Sequence, residues 1–203
     1  MKELIIGTKN KAKVLQIRGA LIAADINVIG IEDKTQLPDV VEDGKTANEN
    51  ARKKALAYAK ALGKTVFSMD NALYFNGLSE DKQPGLNVRR MPGYSERPSD
   101  EEMVEYYSKL MASLGGTVDG HWEFGICMAT PEGDCHETTI ISPRKFVSTP
   151  SDKRQPGYPL ESIQVDPESG KYIAQMSQEE QNVFWQKAIG DKLLEFVKSI
   201  SLG

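Results

Sequence analysis

Thr8, Asn10 and Lys13 are the residues whose types and spacing first suggest chemistry. They fall within six positions, with Lys9 and Lys11 in the same stretch. Short hydroxyl and amide side chains donate hydrogen bonds to phosphate oxygens, and ammonium groups neutralise their charge. Cations at a helix start oppose the macrodipole unless an anion compensates them. A polar turn with solvated lysines satisfies the same residues, so both readings stand at this level. Neither a P-loop nor a glycine-rich dinucleotide fingerprint is present. Asp70 closes a strand-like run at residues 65–69, a position that suits a Mg2+ ligand or a general base. Lys54 and the acidic pair Glu42-Asp43 before Gly44 complete the charged candidates. Each of those, alone, is ordinary surface chemistry.

The elements that must position these residues read as alternating strands and helices. Leu4, Ile5 and Ile6 form a buried strand that breaks at Gly7, and a helix restarts after Asn10 with Val14, Ile17 and Leu21 as its apolar positions. Such a strand–turn–helix directs unsatisfied N–H groups and the positive dipole end at the turn. Residues 26–31 read as a second strand, parallel to the first if the helix is a crossover. Residues 32–45 form a polar loop with Pro38 and Gly44. Thr46-Ala47-Asn48-Glu49 is a capping box for a helix running to about Leu62 and closed by Gly63. Its stripe of Ala47, Ala51, Ala55, Ala59 and Leu62 is small enough to lie close against a sheet, and Asn50 and Lys54 share the face beside it. Residues 65–69 make a third strand ending in Asp70-Asn71, and residues 73–75 a further strand turned by Asn76-Gly77. Ligands gather at the carboxyl ends of strands in open α/β sheets. The phosphate turn and Asp70 both fall there.

The remainder is less explicit. Residues 79–98 form an irregular basic loop holding Pro84-Gly85, Arg89-Arg90 and Pro92-Gly93. Ser99-Asp100-Glu101-Glu102 caps a helix with Met103, Tyr106, Tyr107, Leu110 and Leu114, stopped by Gly115-Gly116. Residues 122–128 and 137–141 flank a Pro131-Glu132-Gly133-Asp134 turn as an antiparallel hairpin. His121 and His136 read as surface residues outside any dyad. Residues 143–171 suggest loops and short strands of a second lobe. Ser177-Gln178-Glu179-Glu180 opens a long amphipathic helix bearing Phe184, Leu193, Leu194, Phe196 and Val197.

At 203 residues, with 39% hydrophobic and 27% charged content, the chain reads as a soluble globular protein able to bury a substantial interior. A net charge of −4 argues against nucleic acid or a membrane surface as partner, so any anion site must be a local concentration of positive charge. No apolar run approaches a membrane span, and no signal peptide is expected. Cys127 and Cys135 are the only cysteines, too few for a disulfide framework or a zinc site. They are expected to be reduced thiols packed on strands, as in a cytoplasm.

Four stretches carry a family likeness. They are Thr8-Lys9-Asn10-Lys11-Ala12-Lys13; Glu42-Asp43-Gly44-Lys45-Thr46 with Glu49-Asn50-Ala51 and Lys54-Ala55; Asp70-Asn71-Ala72-Leu73; and Pro84-Gly85-Leu86 followed by Arg90. In order, spacing and type they resemble the inosine triphosphate pyrophosphatase family, which hydrolyses non-standard purine nucleoside triphosphates such as ITP, XTP and their deoxy forms. The agreement runs through about residue 93. Met69 stands where the family has a first acid. Later, only Gly157 and Tyr158 of the family's Phe-Gly-Tyr-Asp-Pro survive, with Pro159 at the acid. Trp185-Gln186-Lys187 falls where the family has Ser-His-Arg, and Gln181 replaces a lysine. The groups that read the purine edge have therefore changed.

The resemblance implies an α/β fold with a long, mixed, curved β-sheet and flanking helices, two lobes around a central cleft, and one domain over residues 1–203. It implies attack of water on the α-phosphorus, releasing a monophosphate and pyrophosphate. Glu42 and Asp70 would hold Mg2+, with Asp70 also orienting or deprotonating the water. Thr8, Asn10, Lys13 and Lys54 would cradle the triphosphate, with Arg90, Tyr158, Gln186 and Lys187 as further substrate contacts. A homodimer is the implied assembly. Two alternatives remain: pyrophosphate release from a different nucleotide, and nucleotide binding without turnover.

Overall fold

β1 (Lys2–Ile6) and β2 (Ile26–Gly30) pair in parallel, Leu4 opposite Val28, and α1 (Lys11–Ala20) crosses between them as the spacing requires. Asn10 caps α1, and Ile17 and Ala20 are buried on its inner face. The computed structural model describes residues 2–31, 37–94 and 98–200. Parts of the polar loop expected at 32–45 and of the basic loop at 79–98 lie outside the described residues.

α2 (Ala47–Leu62) forms as its sequence dictates. The Thr46 hydroxyl accepts from the Glu49 amide at 3.1 Å, and Gly63 closes the helix at φ 61°. The Glu49 carboxylate reaches the Lys45 amide rather than that of Thr46, at 2.7 Å, so the box is displaced by one residue. β3 (Val66–Phe75) is a single ten-residue strand. The expected break at Asp70-Asn71 is absent and Asp70 sits mid-strand. The strand carries on because Leu73 exchanges two 2.9 Å backbone bonds with Gly85, and Phe75 is bonded twice by the Gln83 side chain. Those partners lie eight and twelve residues further on, and they outweigh the local turn signal.

α3 (Asp100–Ser113) follows a complete Ser99–Glu102 capping box. β4 (Thr117–Ala129) and β5 (Cys135–Val147) make a hairpin longer than the sequence suggested, closed by a 2.9 Å bond from the Thr130 amide to the Asp134 carbonyl. β6 (Gln164–Val165) pairs antiparallel with β5. The sheet is mixed, in the order β2-β1-β3-β4-β5-β6. The C-terminal helix is interrupted: α4 (Gln178–Trp185) passes through a π turn (Gln186–Gly190) into α5 (Asp191–Ser199). A Cβ on Gly190 would lie 2.5 Å from the Ala20 carbonyl oxygen. The close approach to α1 thus occurs where the helix is wound differently.

The described residues divide into two compact units. One contains the chain up to Asn71, Glu123–Ile140 and the stretch from Asn182 on; the other contains Ala72–Trp122 and Ile141–Gln181. The first thus gathers a hairpin tip and most of the last helix onto the N-terminal strands and helices. In that unit the alanine stripe of α2, Ala51, Ala55 and Ala59, packs with Val66, Cys127 and Ala129. The second unit is built on Leu73, Phe75, Met103, Tyr107, Met111, Phe146 and Ile163. No helix among the described residues is long and apolar enough to cross a membrane. His121 stacks on Tyr74 with ring centroids 5.2 Å apart, and His136 is exposed.

Candidate active site

Gly7 is pressed against β3. A Cβ there would meet Ser68 Oγ at 2.5 Å, Val66 Cγ1 at 2.8 Å and Tyr58 Cδ2 at 2.9 Å. Its amide donates to the Phe67 carbonyl at 2.6 Å, and Ser68 Oγ donates to the Gly7 carbonyl at 3.2 Å. This seats the turn at residues 7–10 beside the middle of β3. Asn10 Oδ1 accepts the Ala12 amide at 2.9 Å as the N-cap, and Thr8 Oγ1 accepts the Asn10 amide at 3.1 Å. Both side chains keep their own hydrogens for a ligand. Lys13, in the first turn of α1, donates from Nζ to the Met69 carbonyl at 3.1 Å and lies 3.9 Å from Asp70 Oδ1. The ammonium that the dipole disfavours is thereby compensated.

α2 supplies the opposite wall. Asn50 and Lys54, four residues apart, are both buried, at 3% and 8% exposure. Asn50 Nδ2 donates to Asp70 Oδ2 at 3.0 Å, while its Oδ1 accepts the Gly44 amide at 2.8 Å. Lys54 Nζ bridges two carboxylates, Asp70 Oδ1 at 3.2 Å and Glu42 Oε2 at 3.3 Å. Gly44 is required where it stands, since a Cβ would fall 2.6 Å from Asn50 Oδ1. Beside it, an ion pair with Lys53 holds the Asp43 carboxyl below its usual range. Tyr58, one turn beyond Lys54, has its phenol raised by burial, with Lys54 opposing and Glu42 adding to the shift.

Lys13, Glu42, Lys54 and Asp70 thus converge, with Thr8 and Asn10 on the turn that carries Lys13. They do so through packing of α1, the acidic loop and α2 around mid-β3, beside the carboxyl end of β1. The group holds two carboxylates and two ammoniums. Among the described residues no three His, Cys, Asp or Glu side chains come together to hold a metal ion. A hard cation here would have Glu42 and Asp70 oxygens and must draw its remaining ligands from phosphate or water. Met69, at the position of the family's first acid, is buried and presents only its carbonyl to Lys13.

The other candidates are placed separately. Gln186 and Lys187 lie in the π turn. In the second unit Arg90 is exposed and Tyr158 half-buried. There it is Arg89 that ties segments together, reaching Asp100 Oδ1 at 3.3 Å and the Gly157 carbonyl at 3.3 Å, while the Gly157 amide donates to Asp100 Oδ2 at 3.3 Å. The same unit buries Glu161 near Arg144. Burial pushes the Glu161 carboxyl up to about 8 despite the guanidinium, and pushes Arg144 down to about 10. Burial and the Glu161 charge both raise the Tyr158 phenol. Sequence reasoning named Asn50 and Arg89 without giving either a role, and passed over Tyr58 and Glu161. The signal for Asn50 was its shared helix face with Lys54.

Residues 4–190 match the model of the Ham1 family. A dITP/XTP pyrophosphatase of Staphylococcus aureus is 34% identical over 181 residues, 89% of this chain and 88% of that protein. The solved structure of the Staphylococcus aureus Ham1 protein superposes with a TM-score of 0.69 at 28% identity, covering 98% of this chain and 99% of that one. A HAM1 protein from Coxiella burnetii shares the fold, with a TM-score of 0.72 at 19% identity over 98% and 100% of the two chains.

Proposed function

The chain belongs to the Ham1 family, and from that membership we propose that it hydrolyses dITP, XTP and related non-standard purine nucleoside triphosphates to the monophosphate and pyrophosphate. The observation that carries this reading is the bridge of Lys54 between Glu42 and Asp70, with Lys13 beside it. Phosphoryl transfer asks a protein mainly for placement and for charges that meet the phosphate oxygens, and this group has both. The relatives' activity favours this reading over a different nucleotide and over binding without turnover.

Lys13 and Lys54 neutralise the triphosphate, and Thr8, Asn10 and the first amides of α1 donate to its oxygens. Glu42 and Asp70 would hold a divalent ion, Mg2+ in this proposal, which would supply positive charge to the phosphate oxygens. Asp70 orients the water and takes its proton as the oxygen bonds to the α-phosphorus and the bond to the bridging oxygen breaks. Pyrophosphate leaves. Asn50 keeps the Asp70 carboxylate turned toward the lysines. By the family resemblance Arg90, Tyr158, Gln186 and Lys187 are further substrate contacts, and the proposal includes a single catalytic domain in a cytoplasmic homodimer.

A nucleotide panel with product identification tests the reading. Pyrophosphate, not orthophosphate, is expected, fastest from dITP, ITP or XTP. Asp70→Asn is expected to cut turnover roughly a hundredfold or more while leaving the melting curve cooperative. Wild-type turnover in that variant would end the assignment of Asp70.

A further inference from the structure

Lys54 occupies the place where the two carboxylates of the proposed metal site face each other. Its Nζ lies 3.2 Å from Asp70 Oδ1 and 3.3 Å from Glu42 Oε2. Asn50 Nδ2 donates to the other oxygen, Oδ2, at 3.0 Å, so Asn50 and Lys54 share the Asp70 carboxylate between them. Lys54 is 8% exposed and the Asp70 side chain 14%, so water does little to weaken that contact, while the Glu42 side chain is 44% exposed. A magnesium ion takes carboxylate oxygens at about 2.1 Å. Two cations on the same pair of oxygens repel each other, so the ion and the Lys54 ammonium compete for them.

Resting on the functional reading above, we infer that Lys54 is a resident counter-cation, whose hold on Glu42 and Asp70 makes divalent-ion binding depend on the triphosphate. The charges explain why. Lys54 holds the two carboxylates with an ammonium that is itself buried. A divalent ion entering alone must compete with that ammonium for the same oxygens. A triphosphate entering alone sets its charges against two carboxylates. When both enter, the carboxylates take the ion and Lys54 turns to the phosphates. Each ligand removes the penalty on the other, and the coupling is reciprocal.

The test is Mn2+ titration of the full chain by calorimetry, with and without a non-hydrolysable α,β-methylene triphosphate analogue. In nucleotide-free protein, Lys54→Met is expected to bind Mn2+ about tenfold more tightly than wild type, and Lys54→Arg no more tightly than wild type. The analogue is expected to tighten Mn2+ binding to wild type by about tenfold and to Lys54→Met by much less. A Lys54→Met variant that melts cooperatively yet gains no Mn2+ affinity overturns the inference. Should that variant fail to fold, an analogue that leaves the wild-type Mn2+ affinity unchanged overturns it equally. Wild-type pyrophosphate release is measured on the same preparation. Its absence from every nucleotide defeats the functional reading, whereas release with a negative Mn2+ result defeats only the role of Lys54.

Discussion

Single side chains here serve two segments at once. Asn50 fastens the Gly44 amide and the Asp70 carboxylate with one amide group, so the acidic loop and β3 are held in register by a residue that never leaves α2. Glu161 is the opposite case: its Oε2 is buried and has no hydrogen-bond partner among the described residues. A buried, unsatisfied carboxyl is costly, and the cost shows as a proton retained. Its folded value of about 8 lies above the ordinary 4.5. Between those values the folded chain binds a proton that the unfolded chain has lost, so stability falls as pH rises through that window. Glu161→Gln mimics the protonated acid. The decline in Tm between pH 5 and pH 8 is expected to be smaller in that variant by about 3 °C or more, read by thermal melts at both values. Parallel curves would refute the assignment.

At the scale of elements, α2 matters most. Its alanine stripe lets backbone approach backbone, and β4 answers with Gly125, where a Cβ would come within 2.2 Å of Ala47 C and Asn48 N. Neither neighbour is a flexible side-chain tip, so neither can yield cheaply. Gly125→Ala is expected to cost about 1–3 kcal/mol of stability and to displace the N-terminal turn of α2, which carries Asn50. Urea denaturation checks the first effect. Gly133, in the hairpin turn at φ 105°, has nothing within 4 Å of such a Cβ. There the strain of a side chain would be one of backbone conformation alone.

For the molecule as a whole, charge is arranged locally. The net charge of −4 repels polyanions, yet Lys13 and Lys54 are held in a half-buried group where salt screens them weakly. A compact triphosphate can reach that group, and a long duplex gains nothing from the rest of the surface. Pyrophosphate release from dITP is therefore expected to proceed at an unchanged rate in excess duplex DNA. Strong inhibition by DNA would contradict this account of how the substrate is attracted.

Local signals in the chain were sufficient for β1, α1, β2, α2 and α3. Each is set by apolar spacing, a side-chain cap or a closing glycine acting within a few residues. The family was legible in residue types at fixed short spacings, and it was the resemblance, not any one motif, that singled out Lys13, Glu42, Lys54 and Asp70. Tertiary contacts decided the rest. β3 runs on through Asp70-Asn71 because Gly85 and Gln83 complete its hydrogen bonds, the last helix changes winding at Gly190 against α1, and Arg89 rather than Arg90 ties the Gly157 turn. That Lys54 lies between Glu42 and Asp70, the fact on which the chemistry turns, depends on three segments meeting at mid-β3. No local pattern encodes it, because the energy that holds it is shared among side chains drawn together only by the packed core.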